Sequence, residues 1–347
     1  MHRRNSVPKT IKMDILTKLP IISYPRRCSL QLANQFSEKK YLHSPRDSFH
    51  RAIYPVLFVA QIFGLFPVQG ISTKNASHLK FKWISFRTLY SVLFIFYCIF
   101  ITFAEIYRMH VNNADDTSAK SLAGLIFFIV TTCASMILFY IATKWREIMI
   151  FWEKNESVFQ RKPYSTSNTL KEKICLAGAL MLIGSTLEHA LAKASAFYAY
   201  DYEAHYCNKT FAGTLHYYAN RDFYSVFILI LPFYHDIIVI FCYIGLVMQT
   251  FAWTFLDFFI IAISLGISER FRQFNEHLNE MYKTGSPQLA NQQYWKTARY
   301  HFGLICEILE YVDRLECNNM MGTIITYEIV LMQFGQQKAN PYKILCY

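Results

Sequence analysis

Apolar positions along this chain come in long unbroken blocks rather than in alternating stripes. Residues 89–107, "LYSVLFIFYCIFITFAEIY", hold one charge, Glu105, near their end, and residues 121–142 hold none. Residues 174–199 are apolar but include Glu188, His189 and Lys193, and residues 237–263 carry only Asp257. A shorter block, 319–334, comes last. A helix needs about 20 apolar residues to cross a bilayer core, and helical geometry satisfies the backbone groups that hydrocarbon cannot. The pattern predicts an all-α, polytopic helical membrane protein. Four spans fall within residues 72–266, at about 89–107, 121–142, 174–199 and 237–263, and a last helix covers 318–334. One further block, 52–71, is broken by Pro55, Gln61, Gly64, Pro67 and Gln69. It predicts a re-entrant or interfacial helix rather than a span.

The stretch 267–317 has a different rhythm. Phe271, Phe274 and Leu278 share one helical face, and Tyr300, Leu304 and Ile308 share another. Such spacing suits amphipathic helices that pack on partners below the membrane, an anchor-like region.

Charge then orients the chain. Charged residues are only 17% of the sequence, against about 25% in soluble domains. The net charge of +11 therefore reads as cytoplasmic loops rich in Lys and Arg, with no nucleic-acid partner expected. Residues 1–51 hold eleven Lys/Arg against three acids and form a cytoplasmic N-terminal tail. Residues 72–88, with Lys74, Lys80, Lys82 and Arg87, also read as inside. Both placements hold only if 52–71 does not cross. Loops 108–120 and 200–222 then lie outside, and loop 143–173 inside. The last helix runs outward, leaving an external tail, 335–347. Of the sequons at Asn75, Asn155 and Asn208, only Asn208 faces the glycosylation machinery on this topology; such tripeptides also occur by chance.

Little in the chain suggests catalysis. Nine cysteines are scattered singly, and the histidines lack metal-like pairing, so no disulfide framework, metal or cofactor is expected. GxSxG, HExxH and phosphate-loop motifs are absent, and the expectation is a protein that is not an enzyme. Glu188 and His189, with Lys193 about one turn on, sit in the outer half of the third span. Ionisable groups at such depth cost about 2–3 kcal/mol each. They form either an internal pair that satisfies itself or part of a ligand or ion pathway. Trp253 and Asp257, four apart, share a face of the fourth span, as a packing or gating contact.

The ending "TYEIVLMQF" carries a resemblance. Thr326, Tyr327, Gln333 and Phe334 match the C-terminal signature of insect gustatory receptors: Thr-Tyr, five mostly hydrophobic residues, then Gln-Phe. Upstream, "SFHRAIYPVLFVAQIFGLFPVQGI", "LKFKWISFRTLYS", "IATKWREIMIFWEKNE", "LEHAL" and "FLDFFIIAISLGISERFRQFNEHL" are similar to the sugar-sensing branch. The resemblance implies a seven-span insect chemoreceptor channel. Such a protein is a ligand-gated, non-selective cation channel subunit in the plasma membrane of taste neurons, with a cytoplasmic N-terminus. It works as a homo- or heterotetramer of related subunits, in contact with membrane lipid. Gln333 and Phe334 of four subunits would then ring the outer gate of the pore, or merely pack against neighbouring helices. Glu188, His189 and Asp201 would form a polar cup for the sugar ligand. The family has two further spans between its cytoplasmic helices and its last helix. Here the sequence passes almost directly from Glu316 to that helix, giving about five spans. A truncated, non-conducting subunit that modulates full-length receptors is therefore an alternative. A heptahelical G-protein-coupled receptor is another, against which the internal N-terminus speaks.

Overall fold

Six α-helices account for most of the computed structural model, which describes residues 48–111, 119–164, 169–206 and 236–313. Helix α1 (Phe49–Ile62) has 14 residues and contains Pro55. At 1.5 Å per residue it reaches about 21 Å, short of a bilayer core of about 30 Å. It begins at Ser48, whose carbonyl accepts from Arg51 and Ala52 at 3.1 and 3.0 Å. Beyond Ile62 the chain turns sharply, with Gly64 at φ 72° and Phe66 at φ 59°. Positive φ is uncommon for a bulky residue and needs firm support from its surroundings. That support is visible: the Phe66 ring is fully buried and sits edge-on to Trp145, 5.0 Å between centroids. The Gln61 amide donates to the carbonyls of Phe66 (3.1 Å) and Val68 (2.6 Å). A residue that reads in sequence as a polar break is thus the clamp that closes this turn. Two short strands follow, β1 (Val68–Gln69) and β2 (Lys80–Phe81), paired antiparallel with Val68 opposite Phe81.

The four long apolar blocks are helices α2 (Phe86–Val111), α3 (Ala119–Glu156), α4 (Thr169–Tyr206) and α5 (Asp236–Lys283). Each contains a segment long and apolar enough to cross a membrane: Phe86–His110, Gly124–Glu156, Thr169–Ser195 and Ile238–Lys283. The chain is an all-α, multi-pass membrane protein. Helix α5 has 48 residues, about 72 Å, and passes through Gly266 without a break. The boundary drawn at 266/267 is a change of side-chain pattern, not of backbone. A lone glycine weakens a helix by only about 1 kcal/mol, and packing on both sides holds this one. Helix α5 ends at Lys283, and Gly285 follows in the turn at φ 58°. After a single turn at Pro287–Ala290, Asn291 caps α6 (Gln292–Val312) by accepting from the Gln293 N–H at 2.9 Å.

Helix α3 is central, touching α1, α2, α5 and α6, while α4 packs on α5 and α1. In lipid the hydrophobic effect does not drive helices together, so close packing must. The chain supplies it with rings. Phe49 stacks on Trp152 at 4.3 Å, and Phe63 on Phe251 at 3.8 Å. Phe127 stacks on Trp253 at 5.5 Å, which makes Trp253 a packing contact. The amphipathic faces foreseen in 267–317 meet one another: Phe271 and Phe274 both contact Phe302 of α6, at 5.8 and 5.9 Å. Leu304 and Ile308 are buried, and Tyr311 stacks on Phe151 of α3.

Candidate functional site

Polar arrangements interrupt the apolar packing, among them one midway along α5 and one nearer its C-terminal end. The first is a seam between α4 and α5. Ser185 and His189 are four apart on α4, and Thr250 and Thr254 are four apart on the antiparallel α5, so the pairs face one another. Ser185 Oγ lies 2.8 Å from Thr254 Oγ1, and His189 Nδ1 lies 3.5 Å from Thr250 Oγ1. Each threonine hydroxyl also donates to the carbonyl one turn back, Leu246 at 3.0 Å and Thr250 at 3.1 Å. Their lone pairs remain to accept across the seam, so Ser185 is the donor to Thr254.

The sequence-derived candidates distribute along α4. His189 is on the seam. Glu188 is on the exposed side of the helix, beside exposed Leu187 and Leu191. Asp201 lies further along the same unbroken helix, 13 residues beyond Glu188, or about 20 Å. The helix therefore places Glu188 and His189 at one level and Asp201 at another. Thr326, Tyr327, Gln333, Phe334 and Asn208 lie outside the described residues.

Beside the seam, α1, α4 and α5 line a half-open pocket of about 240 Å³, with Pro55, Val59, Gly178, Leu182, Phe255 and Phe258 in its wall and Thr254 shared with the seam. Hydroxyl-rich ligands need several hydrogen-bonding partners. This lining offers almost none, so the cavity suits hydrocarbon and the seam is the better polar surface.

The second arrangement centres on Glu156, the last residue of α3. Its carboxylate accepts from the Phe49 backbone N–H (3.2 and 3.3 Å to the two oxygens), from Trp152 Nε1 (3.1 Å) and from Arg270 Nη2 (3.2 Å). The side chains of Glu156 and Arg270 are both wholly buried. Arg270 Nη1 also donates to Gln273 Oε1 at 2.8 Å. One carboxylate thus caps the N-terminus of α1, where an anion is favoured, and ties it to α3 and α5. Sequence reasoning did not pair Glu156 with Arg270. Trp152 and Glu156 at i,i+4, with Arg270 and Gln273 at i,i+3, were the local hint; their meeting across 114 positions was not legible.

Below this node, the Tyr164 hydroxyl lies 2.7 Å from His301 Nδ1 of α6, and its ring contacts His277 at 5.2 Å. Burial, helped by His277, pushes the His301 imidazole down to about 4, so it is neutral and accepts from the tyrosine. Burial also raises the Tyr164 phenol, which keeps it a donor. Among the described residues no group of His, Cys, Asp and Glu is arranged to hold a metal ion.

Comparison with known proteins gives this architecture a family. The family described as trehalose receptor matches residues 30–318. The gustatory receptor for sugar taste 64a of Drosophila melanogaster is 31% identical over 280 residues, covering 80% of this chain and 59% of that receptor. The gustatory receptor for sugar taste 64f of the same organism is 26% identical over 291 residues, 84% of this chain and 59% of the relative. Gustatory receptor 5a for trehalose is 28% identical over 281 residues, 80% and 59% respectively. The chain spans about 59% of the length of these relatives. All of them are receptors rather than enzymes, and the match takes in every helix described above: the chain belongs to the trehalose-receptor family, the sugar-sensing branch of the gustatory receptors.

Proposed function

We propose that this chain is a subunit of a sugar-gated, non-selective cation channel in the plasma membrane of taste neurons, assembled as a homo- or heterotetramer with related receptors. The observation that carries the reading is the family match across 30–318, together with relatives named for sugar taste and trehalose. The N-terminus is cytoplasmic, which puts the α4–α5 seam in the outer half of the membrane. A sugar is held by hydroxyl hydrogen bonds and by stacking on aromatic rings. Glu188 and His189 form the floor of such a site and Asp201 its mouth. Helix α5 runs unbroken from the seam to the inner node and α6, so a displacement at Thr250 or Thr254 reaches the anchor-like base without a hinge. The gate is the Gln333–Phe334 ring, with the amide facing ions and the phenyl closing the path by dewetting.

Whole-cell recording with a panel of sugars tests this in two forms: the 347-residue chain, and the same chain joined to the remaining spans of a relative. The second form should give a sugar-evoked cation current. In it, Glu188→Gln should raise the sugar concentration for half-maximal current about tenfold or more, the loss expected for a hydrogen bond to a charged group, with surface expression unchanged. Gln333→Ala or Phe334→Ala should raise basal leak or change ion selectivity. No current with any sugar, or wild-type leak and selectivity in both gate variants, would remove the assignment.

A further inference from the structure

We propose that the surface formed by residues 72–88 binds anionic phospholipid headgroups of the inner leaflet; the leaflet assignment rests on the topology given above. Residues 71–88 contain Lys74, Lys80, Lys82 and Arg87 and no Asp or Glu, and all four basic side chains are exposed. Between them stand three of the most exposed large apolar side chains described: Trp83 at 70%, Ile84 at 98% and Phe86 at 83%. Apolar groups flanked by cations, immediately before a membrane-spanning helix, match a bilayer interface: indole and aliphatic groups at headgroup level, ammonium groups against phosphate.

The surface is held in shape rather than loose. Trp83 sits edge-on to Phe81 at 5.1 Å, and both contact Phe139 of α3, at 6.2 and 5.7 Å. Thr88 Oγ1 donates to the Lys82 carbonyl at 2.6 Å, and the Thr88 N–H donates to Ser85 Oγ at 3.2 Å. The β1–β2 pairing places Lys80 opposite Gln69. Arg87 Nη1 donates to the Val68 carbonyl at 3.3 Å, so three lysines are left as the cations most open to a headgroup. Phe139 lies near the end of the apolar block of α3, within about two turns of Lys144 and Arg146. Arg146 reaches the Ser77 carbonyl at 3.5 Å, which puts further positive charge at the same level. The nearby carboxylates are engaged: Glu153 accepts from the Ala76 N–H at 3.2 Å, and Glu147 lies 3.8 Å from Lys144.

The full chain, purified in detergent micelles and titrated with phosphatidylserine or phosphatidylcholine, tests this by native mass spectrometry. Phosphatidylserine should be retained in preference. The combined Lys74→Gln, Lys80→Gln and Lys82→Gln variant should reduce that preference at least about tenfold, since each cation near an anionic surface contributes several-fold. Lys82→Gln alone should give a smaller drop in the same direction, so the result does not depend on the folding of the triple variant. Trp83→Ser with Ile84→Ser should weaken retention of both lipids and leave their ratio unchanged. Equal retention of the two lipids by the wild-type chain, or an unaltered ratio in the lysine variants, overturns the proposal. The micelle assay is blind to sidedness. A tag at position 78 in sealed vesicles reads that separately, and a tag reached from outside overturns the inner-leaflet assignment and the topology beneath it.

Discussion

Glu156 and Gly266 show how single residues fix the junction of α1, α3 and α5. Glu156 collects donors from α1, α3 and α5 with one buried carboxylate. Glu156→Gln removes the charge and leaves the Arg270 guanidinium, whose side chain is wholly buried, without its counter-charge. Breaking one half of a buried pair costs about 3–5 kcal/mol, and thermal unfolding in detergent should show a correspondingly large loss. Replacing both partners with apolar residues, Glu156→Leu and Arg270→Met, should recover only part of it. The Phe49 and Trp152 N–H groups would remain buried without an acceptor, at about 1–3 kcal/mol each. Gly266 is small for a steric reason: a Cβ there would stand 2.6 Å from the Phe49 ring and 3.0 Å from Trp152. Gly266→Ala should therefore destabilise by about 1–3 kcal/mol, as overpacking does, although alanine is the better helix former. The same melting assay decides it, and a stabilised variant would mean that the Phe49–Trp152 stack shifts freely.

At the level of elements, α6 is attached by rings and by a titratable contact, Tyr164 to His301. The imidazole of His301 is pushed down to about 4 in the folded protein, while an unfolded histidine titrates near 6.5. Between these values the unfolded state binds more protons, so stability rises with pH across that window. The contribution is complete above about pH 6.5 and is lost as pH falls toward 4. Hydrogen exchange should show α6 opening more readily at pH 5 than at pH 7, and His301→Phe should flatten the difference. A pH dependence unchanged in that variant would assign the effect elsewhere. Helix α5 is the other element with consequences. Its lower turns carry Arg270, Gln273 and the ring contacts to α6, and its middle carries Thr250 and Thr254. The α4–α5 seam and the Glu156 node thus share one rod.

For the whole molecule, the testable property is its orientation. Lys and Arg cluster in 1–51, 72–88 and 143–173, and the short α1 lets the first two share a side. An epitope at the N-terminus should be protected in sealed cells. A glycan-dependent mobility shift should vanish in Asn208→Gln and persist in Asn155→Gln. Asn155 is an unsuitable acceptor on structural grounds as well, being only 4% exposed. An N-terminal epitope labelled from outside would invert every later assignment, including the outer position of the seam.

Composition and length alone located the apolar helices, because crossing hydrocarbon is a local requirement: about 20 residues with few charges meet it wherever the chain goes next. The same local reading found amphipathic faces at Phe271, Phe274, Leu304 and Ile308, since their period is written in consecutive residues. It could not say which face of α4 meets α5. A helix in lipid is apolar on both its protein and its lipid sides, so the pattern that separates core from surface in water is nearly silent there. Only the tertiary structure put His189 on the seam and Glu188 on the exposed side, and only the unbroken helix set Asp201 about 20 Å away. The signature Thr326, Tyr327, Gln333 and Phe334 remains a sequence finding, beyond the described residues. The Glu156–Arg270 node and the need for glycine at 266 were decided by three-dimensional contact. Each depends on what a residue far along the chain brings to it, and no spacing within one helix encodes that.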